Sequence, residues 1–383
     1  MIYADYAATT PVDPIVVQAI LPFMTEVFFN ASSTHAAGLE AQRAVMKARF
    51  DIAKHIGSRM DELIFTSGAT EAISLAVLGY FRKNATPQRN AFVTCATEHA
   101  AMIDVAAQLE REGYRVTIVG VDTSGCINLD ALRDATNNST LLVSVMAVNN
   151  ETGVMQDLKA LSQVAHDAGA GFMTDATQAY GKMPINVDEL GIDLMSFSAH
   201  KIYGPKGSGA LYHRMKDRIT PLQPLQYGGG QEGGIRSGTL NVPGIVGLAT
   251  AGNIAYEKLE SDAQAIGHLR SRFEQAMKDL GAEINGESTL RSYNICNLTL
   301  PGVQAHQLML EMEGICCSQG SACSSAKAKP SHVLSAMGRT PEQSDCSLRF
   351  SFGRYSTDAD VDELILSVQK AVQAVSRQIQ HHT

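Results

Sequence analysis

Short apolar runs alternate with helix-length stretches between about residues 60 and 215. Strands are predicted at 63–66, 91–94, 116–119, 141–147, 171–174 and 194–198. Helices or helix starts are predicted near Ala69, His99, Asp157 and Ala176, and earlier helices at 16–24 and 41–56. Because helix-length connections separate the strands, the pattern predicts an α/β fold with a mostly parallel sheet.

The pattern changes after about residue 260. Long apolar-periodic stretches at 261–280 and 358–379 predict helices, with strands at 294–300 and 348–352 and a helix at 305–313 between them. This α+β tail is expected to form a second, smaller domain, with its boundary near 255–262.

Composition narrows the class of protein. The 383 residues include 31 Lys plus Arg and 39 Asp plus Glu, so the net charge of −8 disfavours binding to nucleic acid phosphates. No apolar run approaches the length of a membrane span, and the first residues lack the pattern of a secretion signal. A cytoplasmic enzyme is therefore expected, without direct contact with nucleic acid or membrane.

The seven cysteines are odd in number and include no C-x-x-C pair, which disfavours a disulfide framework. The cluster Cys316, Cys317 and Cys323 fits no common zinc spacing, so no metal site is expected. Most of the cysteines are expected to be small buried apolar residues.

Candidate chemistry lies where predicted strands end, because ligands of open α/β sheets bind there. The segment 67–71 (SGATE) combines hydroxyls with a helix start that suits a phosphate, although an ordinary capped helix is an equal alternative. Asp175 ends another strand and would either pair with a cationic ring nitrogen or cap the next helix. Lys201 follows a third strand, among glycines that allow close approach, and such a lysine can form a Schiff base.

Two loops add further candidates. The segment 228–239 is rich in glycine, with Arg236 and Thr239, and is either a surface loop or an anion-binding nest. Cys323 lies among small polar residues with Lys327 and Lys329 nearby, which favours an accessible thiol. A phosphate cradle, a carboxylate for a ring nitrogen, a Schiff-base lysine and a mobile thiol together indicate pyridoxal phosphate chemistry.

The chain resembles the cysteine desulfurases of the NifS/IscS type, in the fold-type I, class V aminotransferase superfamily. The resemblance covers nearly the whole chain. It rests on the segments 5–11 (DYAATTP), 65–71, 97–99, 148–151, 175–178, 196–207, 236–239, 320–324 and 348–354. It implies a large domain over 11–258 with a mostly parallel seven-stranded sheet. A small α+β domain over 1–10 and 259–383 would carry the cysteine loop.

The resemblance also implies a role for each matching residue. Lys201 would form the Schiff base with pyridoxal 5′-phosphate, Asp175 would pair with the ring nitrogen, and Gln178 would contact the phenolic oxygen. His99 would stack on the ring and relay protons. The remaining cofactor contacts would come from Ala69, Thr70, Asn150, Ser198, His200 and, from a second subunit, Thr239. Arg349 and Asn30 would bind the substrate carboxylate.

The implied reaction removes sulfur from L-cysteine, giving L-alanine and a persulfide on Cys323. A homodimer would pass this sulfur to an acceptor protein for iron–sulfur cluster assembly or thio-modification. The chain departs from the family pattern in two places. After Glu71 it continues as Ala72-Ile73-Ser74, where the family usually has a continuation that contains Asn. It also stops at Thr383, so the longer tail with which relatives dock a scaffold protein is expected to be missing. The acceptor stays open.

Two alternatives remain at this point. The first is another class V enzyme, such as an aminotransferase or a selenocysteine lyase, in which Cys323 is incidental. The second is a non-catalytic sulfur-carrier or partner-binding subunit, which retention of Lys201, Asp175, His99 and Cys323 together disfavours.

Overall fold

The computed structural model describes residues 1–215, 220–287, 289–320 and 330–382, with side chains up to 377. Its strands are β1 (Ile2–Tyr3), β2 (Leu63–Thr66), β3 (Ala91–Cys95), β4 (Arg115–Val119), β5 (Thr140–Ser144), β6 (Gly171–Asp175), β7 (Leu194–Ser198), β8 (Gly209–His213), β9 (Glu283–Ile284), β10 (Ile295–Thr299), β11 (Ile315–Cys316) and β12 (Ser347–Ser351).

The α-helices are α1 (Pro14–Ile20), α2 (Pro22–Thr25), α3 (Ala36–Ile56), α4 (Ala69–Asn84), α5 (Ala100–Arg111), α6 (Leu129–Ala135), α7 (Leu158–Asp167), α8 (Val242–Glu257), α9 (Leu259–Asp279), α10 (Ala305–Glu311), α11 (His332–Ala336), α12 (Pro341–Asp345) and α13 (Asp358–His382). Short 3-10 helices span Met60–Glu62, Ala199–Lys201 and Glu232–Gly234. No helix in the described ranges is long and apolar enough to cross a membrane.

The main sheet has seven strands in the order β2-β8-β7-β6-β5-β3-β4. Strand β8 is antiparallel to both of its neighbours, and the other described pairings in this sheet are parallel. The predicted α/β fold with a mostly parallel seven-stranded sheet is confirmed. Strands β6 and β7 occupy the middle of the sheet, so their carboxyl ends open into a central crevice.

Helices cover both faces of the sheet because successive strand side chains point to opposite sides. On β3, Phe92 packs into the cluster formed by α4 and α5, while the next residue, Val93, packs into the larger cluster with α3, α7 and α8. This alternation buries the strand on both faces and explains its continuous apolar run.

A separate core lies in the carboxyl-terminal part of the chain. Strands β12, β10 and β9 form an antiparallel sheet that packs with α9, α10 and α13. Ala4, from the opposite end of the sequence, is buried in this same cluster, and β1 pairs with β11. The amino-terminal segment therefore belongs physically with the small domain, although the exact domain bounds remain a prediction.

Three expectations about local structure are wrong. The helix start at Ala176 is a hydrogen-bonded turn, in which Ala179 N and Tyr180 N both donate to Ala176 O, and Gly181 with φ +70° ends it. The helix expected at 16–24 is split between α1 and α2, because Pro22 has no N–H to continue the first helix. The strand expected at 141–147 ends at Ser144.

Candidate active site

A cavity of about 510 Å³ opens where β2, β6 and β7 end. Most of the predicted site residues line this cavity: Ala69, Thr70, His99, Asn150, Asp175, Gln178, Ser198, His200, Lys201 and Arg349. Its volume falls within the range of small-molecule sites. The topology therefore brings together residues that are up to 280 positions apart in the sequence (69 to 349).

The start of α4 forms one end of the cavity. Gly68 precedes the helix with φ +155°, and no side chain caps the first backbone N–H groups at this helix end. Gly209 on β8 lies so close that an added Cβ would come within 2.7 Å of Gly68 Cα. The uncapped N–H groups and the positive end of the helix dipole suit this end of the cavity to an anion such as a phosphate.

Basic and hydroxyl side chains surround the same end. Ser198 closes β7, and His200 is near Thr9, with 3.1 Å between Nδ1 and Oγ1. Burial, together with the charge of Lys201, lowers the pKa of His200 to about 4, so this imidazole is neutral at pH 7. Lys206 also lines the cavity and supplies positive charge.

Asp175 ends β6 deep in the cavity wall and is 3% exposed. Three groups donate to its Oδ1: Thr177 N at 2.9 Å, Ser196 Oγ at 3.3 Å, and Thr177 Oγ1. This arrangement fixes the carboxylate. It suits the ion pair that a protonated ring nitrogen would make.

His99 caps the start of α5, where its Nδ1 accepts the N–H of Ala101 at 3.1 Å. Because Nδ1 is an acceptor, the hydrogen of the neutral ring lies on Nε2. Burial is the largest effect on His99 and lowers its pKa, so the ring is neutral at neutral pH.

Lys201 ends the 3-10 turn Ala199–Lys201 that follows β7. Its Nζ donates to Ala7 O and Ala8 O, both at 2.7 Å, so the amino-terminal segment holds the amine at the cavity. Tyr203, just beyond, adopts φ +67°, and its N–H donates to Thr10 Oγ1 at 2.8 Å. A strained backbone of this kind persists only where surrounding contacts hold it. Here the contact with Thr10 fixes the direction of the chain just after Lys201.

Arg349 on β12 is 2% exposed and faces the cavity from the small domain. Its Nη2 pairs with Asp5 Oδ1 at 2.6 Å, and its Nη1 donates to Asn150 O at 2.8 Å. Ser318 Oγ donates to the other oxygen of Asp5 at 2.9 Å. The guanidinium is thereby held in place for a carboxylate ligand, close to the segment that leads to the cysteine loop.

Two predicted residues, Asn30 and Thr239, do not line this cavity in the structure. Asn30 is exposed, and its side chain accepts the N–H of Ser32 at 2.9 Å. Thr239 is exposed on the loop after the Glu232–Gly234 turn. Cys323 lies outside the described residues. Their assigned roles stay predictions.

The structure adds cavity residues that sequence reasoning did not select. Thr177 holds Asp175, and its spacing two residues after an aspartate is a turn signal that could have found it. Ser67, which belongs to the predicted segment 67–71, lines the cavity as well, and so does Lys206, the second lysine of the glycine-rich segment after β7. Thr9, from the amino-terminal segment, could not be placed here without the fold.

These side chains fit pyridoxal phosphate. The uncapped start of α4 suits its phosphate, the fixed carboxylate of Asp175 suits its ring nitrogen, and the amine of Lys201 suits its aldehyde. The neutral ring of His99 adds a flat surface to the same cavity. The four groups lie around one cavity, as the cofactor requires.

Comparisons with known proteins agree with this geometry. The family described as aminotransferase class-V matches residues 2–364. A curated cysteine desulfurase IscS from Rickettsia bellii (strain OSU 85-389) is 46% identical over 364 residues, covering 94% of this chain and 88% of the relative. A solved NifS-like protein superposes with a TM-score of 0.90 at 34% identity, covering 97% of this chain and 99% of its own. SspA, solved in complex with cysteine, gives a TM-score of 0.83 at 33% identity, with coverage of 93% and 100%.

The chain therefore belongs to the class V aminotransferase family of pyridoxal phosphate enzymes. Within that family, the prediction of a NifS/IscS-like cysteine desulfurase is confirmed by its relatives.

Proposed function

We propose that this protein takes the sulfur from L-cysteine, releases L-alanine and carries the sulfur as a persulfide on Cys323 to an acceptor protein. The observation that carries the proposal is the arrangement of Lys201, Asp175, His99 and Arg349 around one cavity. An amine, a carboxylate, a neutral imidazole and a guanidinium are the groups that desulfuration of an amino acid needs.

Some of these side chains are proposed to act on the cofactor and others on the substrate. Pyridoxal phosphate, when bound, supplies the electron sink that stabilises negative charge at the substrate Cα. Asp175 would hold the protonated ring nitrogen by its negative charge. Lys201 takes the Cα proton onto Nζ, since this amine already lies at the cavity wall beside Ala7 and Ala8. Arg349 orients the substrate by its carboxylate, because a planar guanidinium matches two oxygens.

His99 is placed to exchange a proton with the substrate thiol. Its Nδ1 is occupied by Ala101 N–H, so Nε2 is the nitrogen that gives or receives the proton. The lowered pKa keeps the ring neutral between transfers. In the sulfur-transfer step the Cys323 thiolate forms a bond to the substrate sulfur. The substrate C–S bond then breaks and leaves its electron pair on carbon.

The ends of the cysteine loop support a role for Cys323. Gly320 and Ser331, on either side of residues 321–329, both lie beside Glu151: Ser331 Oγ donates to Oε2 at 2.6 Å, and a Cβ on Gly320 would be 3.6 Å from the same oxygen. Glu151 follows Asn150, which lines the cavity. Only two residues, Ser321 and Ala322, lie between Gly320 and Cys323 in the sequence.

The purified enzyme is expected to form one alanine per cysteine consumed, with one sulfide released when a reductant is present. The reaction needs no keto acid, because no amino group leaves the substrate. Quantifying alanine and sulfide with and without added pyruvate tests this. Alanine formation that depends on pyruvate, without sulfide, would establish an aminotransferase instead.

We infer that the active form is a homodimer. Helices α1, α2 and α3 pack against α8, and these helices and the segments that connect them leave apolar side chains exposed. These side chains are Ile15, Val17, Leu21, Met24, Phe28, Leu39, Met46 and Phe50. Such a surface favours contact with a second copy. Thr239, exposed and outside its own cavity, is then available to the phosphate end of the partner's site.

Replacing Phe28 by aspartate is expected to shift the protein from dimer to monomer, because it buries a charge in the proposed interface. Sedimentation velocity at assay concentration measures the shift. The matched control is Leu310→Asp on α10, where an apolar residue is 81% exposed away from the patch. A wild-type enzyme that sediments as a fully active monomer contradicts the inference.

The acceptor is proposed to be a protein, and the site of action the cytoplasm. All six described cysteines, Cys95, Cys126, Cys296, Cys316, Cys317 and Cys346, are free, which supports a reducing compartment. Whether the acceptor serves iron–sulfur cluster assembly or thio-modification follows from assaying persulfide transfer to each candidate.

A further inference from the structure

A second lysine stands behind the wall of the active site. Lys182 directly follows Gly181, at the end of the turn that begins after Asp175. It borders a small cavity of about 20 Å³ that is shared with Lys201 and Tyr203, and it is not among the residues lining the main cavity. No step of the proposed reaction uses it.

The amino group of Lys182 donates a hydrogen bond to Gln178 Oε1 at 2.8 Å. The other end of the same amide, Nε2, donates to Ala7 O at 2.8 Å. The carbonyl of Ala7 can only accept, so it requires the amide nitrogen on its side, and the amino group of Lys182 donates to the amide oxygen on the other side. The two partners together favour one orientation of the amide. Gln178 itself lines the main cavity.

Burying the amino group of Lys182 has a cost in desolvation free energy. Burial, with smaller effects from the charges of Lys201 and Arg349, lowers the pKa of Lys182 to about 7. An apolar side chain of the same length would avoid this cost. The hydrogen bond to Gln178 is what a lysine supplies and an apolar residue cannot.

We propose that Lys182 is a positioning residue of the cofactor site, which holds the Gln178 amide so that Nε2, rather than Oε1, is offered to the ring oxygen of the cofactor. A flipped amide would set its oxygen against that oxygen, which is repulsive. The inference rests on the proposed function, because the contact of Gln178 with the ring oxygen comes from the family resemblance.

Lys182→Met keeps the side-chain length and removes the donor. Its dissociation constant for pyridoxal phosphate is expected to rise about tenfold, the effect of losing one hydrogen bond. The visible absorption band of the bound cofactor should also shift, since donors to the ring oxygen stabilise its charge. Lys182→Arg, which keeps a donor, should restore both. Lys159→Met, at an exposed lysine on α7, is the control.

A double-mutant cycle with Gln178→Ala separates positioning from general structural support. If Lys182 acts through Gln178, Lys182→Met adds no further loss of affinity and no further band shift once Gln178 is absent. An equal loss in both backgrounds overturns the proposal, as does a Lys182→Arg variant as impaired as Lys182→Met. Should Lys182→Met fail to fold, Lys182→Ala, which leaves room for water, takes its place with the same expectation.

The wild type separates the two possible failures. A wild-type protein that binds the cofactor and makes alanine, with Lys182→Met matching it in affinity and spectrum, overturns this inference alone. A wild-type protein that binds no cofactor overturns the proposed function, and this inference with it.

Discussion

Lys201→Ala is expected to lose the absorption band of covalently held cofactor and to lower turnover by at least about 100-fold, because one amine both anchors the cofactor and moves the Cα proton. The structure gives the reason: Nζ lies at the cavity wall, held by two backbone carbonyls of the amino-terminal segment. Visible spectra and alanine formation, measured on protein mixed with pyridoxal phosphate, provide the test.

The control is Lys206→Ala, because Lys206 lines the same cavity in a neighbouring loop. This variant should keep the covalent band, with weaker binding of the phosphate at most. If instead the band survives in Lys201→Ala and disappears in Lys206→Ala, the anchoring lysine is Lys206 and the assignment is wrong.

Cys323→Ser is expected to bind the cofactor and cysteine as the wild type does, yet to form alanine at least about 100-fold more slowly, since a hydroxyl is a far weaker nucleophile towards sulfur than a thiolate. Binding should be unaffected because it depends on Lys201, Asp175 and Arg349. Mass spectrometry of the wild type treated with cysteine, without reductant, should find an added mass of about 32 Da, one sulfur, on the peptide containing Cys323. The variant should show none.

Cys317→Ser is the matched control. Cys317 and its neighbour Cys316 are both partly buried. Burial, together with the charge of Asp5, raises the pKa of Cys317 to about 12, so its thiol stays protonated and is a poor nucleophile. Alanine formation at the wild-type rate in Cys323→Ser, or added sulfur on Cys316 or Cys317, would show that Cys323 is a bystander.

The sequence predicts the sheet well because its central strands are buried on both faces. Phe92 and Val93 pack into different clusters, so the strand reads as one apolar run whichever side is considered. Strand β8 was missed, since its start at Gly209 follows a glycine-rich loop that reads as a turn. The helix expected at Ala176 failed because Asp175 Oδ1 captures Thr177 N–H and bends the chain into a turn.

The cofactor site was predictable only where its residues end strands or begin helices. Asp175, Lys201 and Ala69 satisfy that condition, so the rule that ligands bind beyond strand ends places them correctly at one cavity. Arg349 lies on a strand of the other domain, and only the resemblance indicated it. The contact of Lys182 with Gln178 depends on a turn that the sequence pattern described as a helix.

The amino-terminal segment has a consequence for how the protein is made. Ile2 pairs with Ile315, Asp5 with Arg349, and the carbonyls of Ala7 and Ala8 hold Lys201. The ribosome delivers this segment first, but two of its partners are among the last parts of the chain to emerge. The large domain can begin to fold during synthesis, whereas the amino-terminal segment can make its contacts with Ile315 and Arg349 only when synthesis is nearly complete. A nascent chain thus acquires a complete cavity only after it carries the loop that is proposed to receive the sulfur.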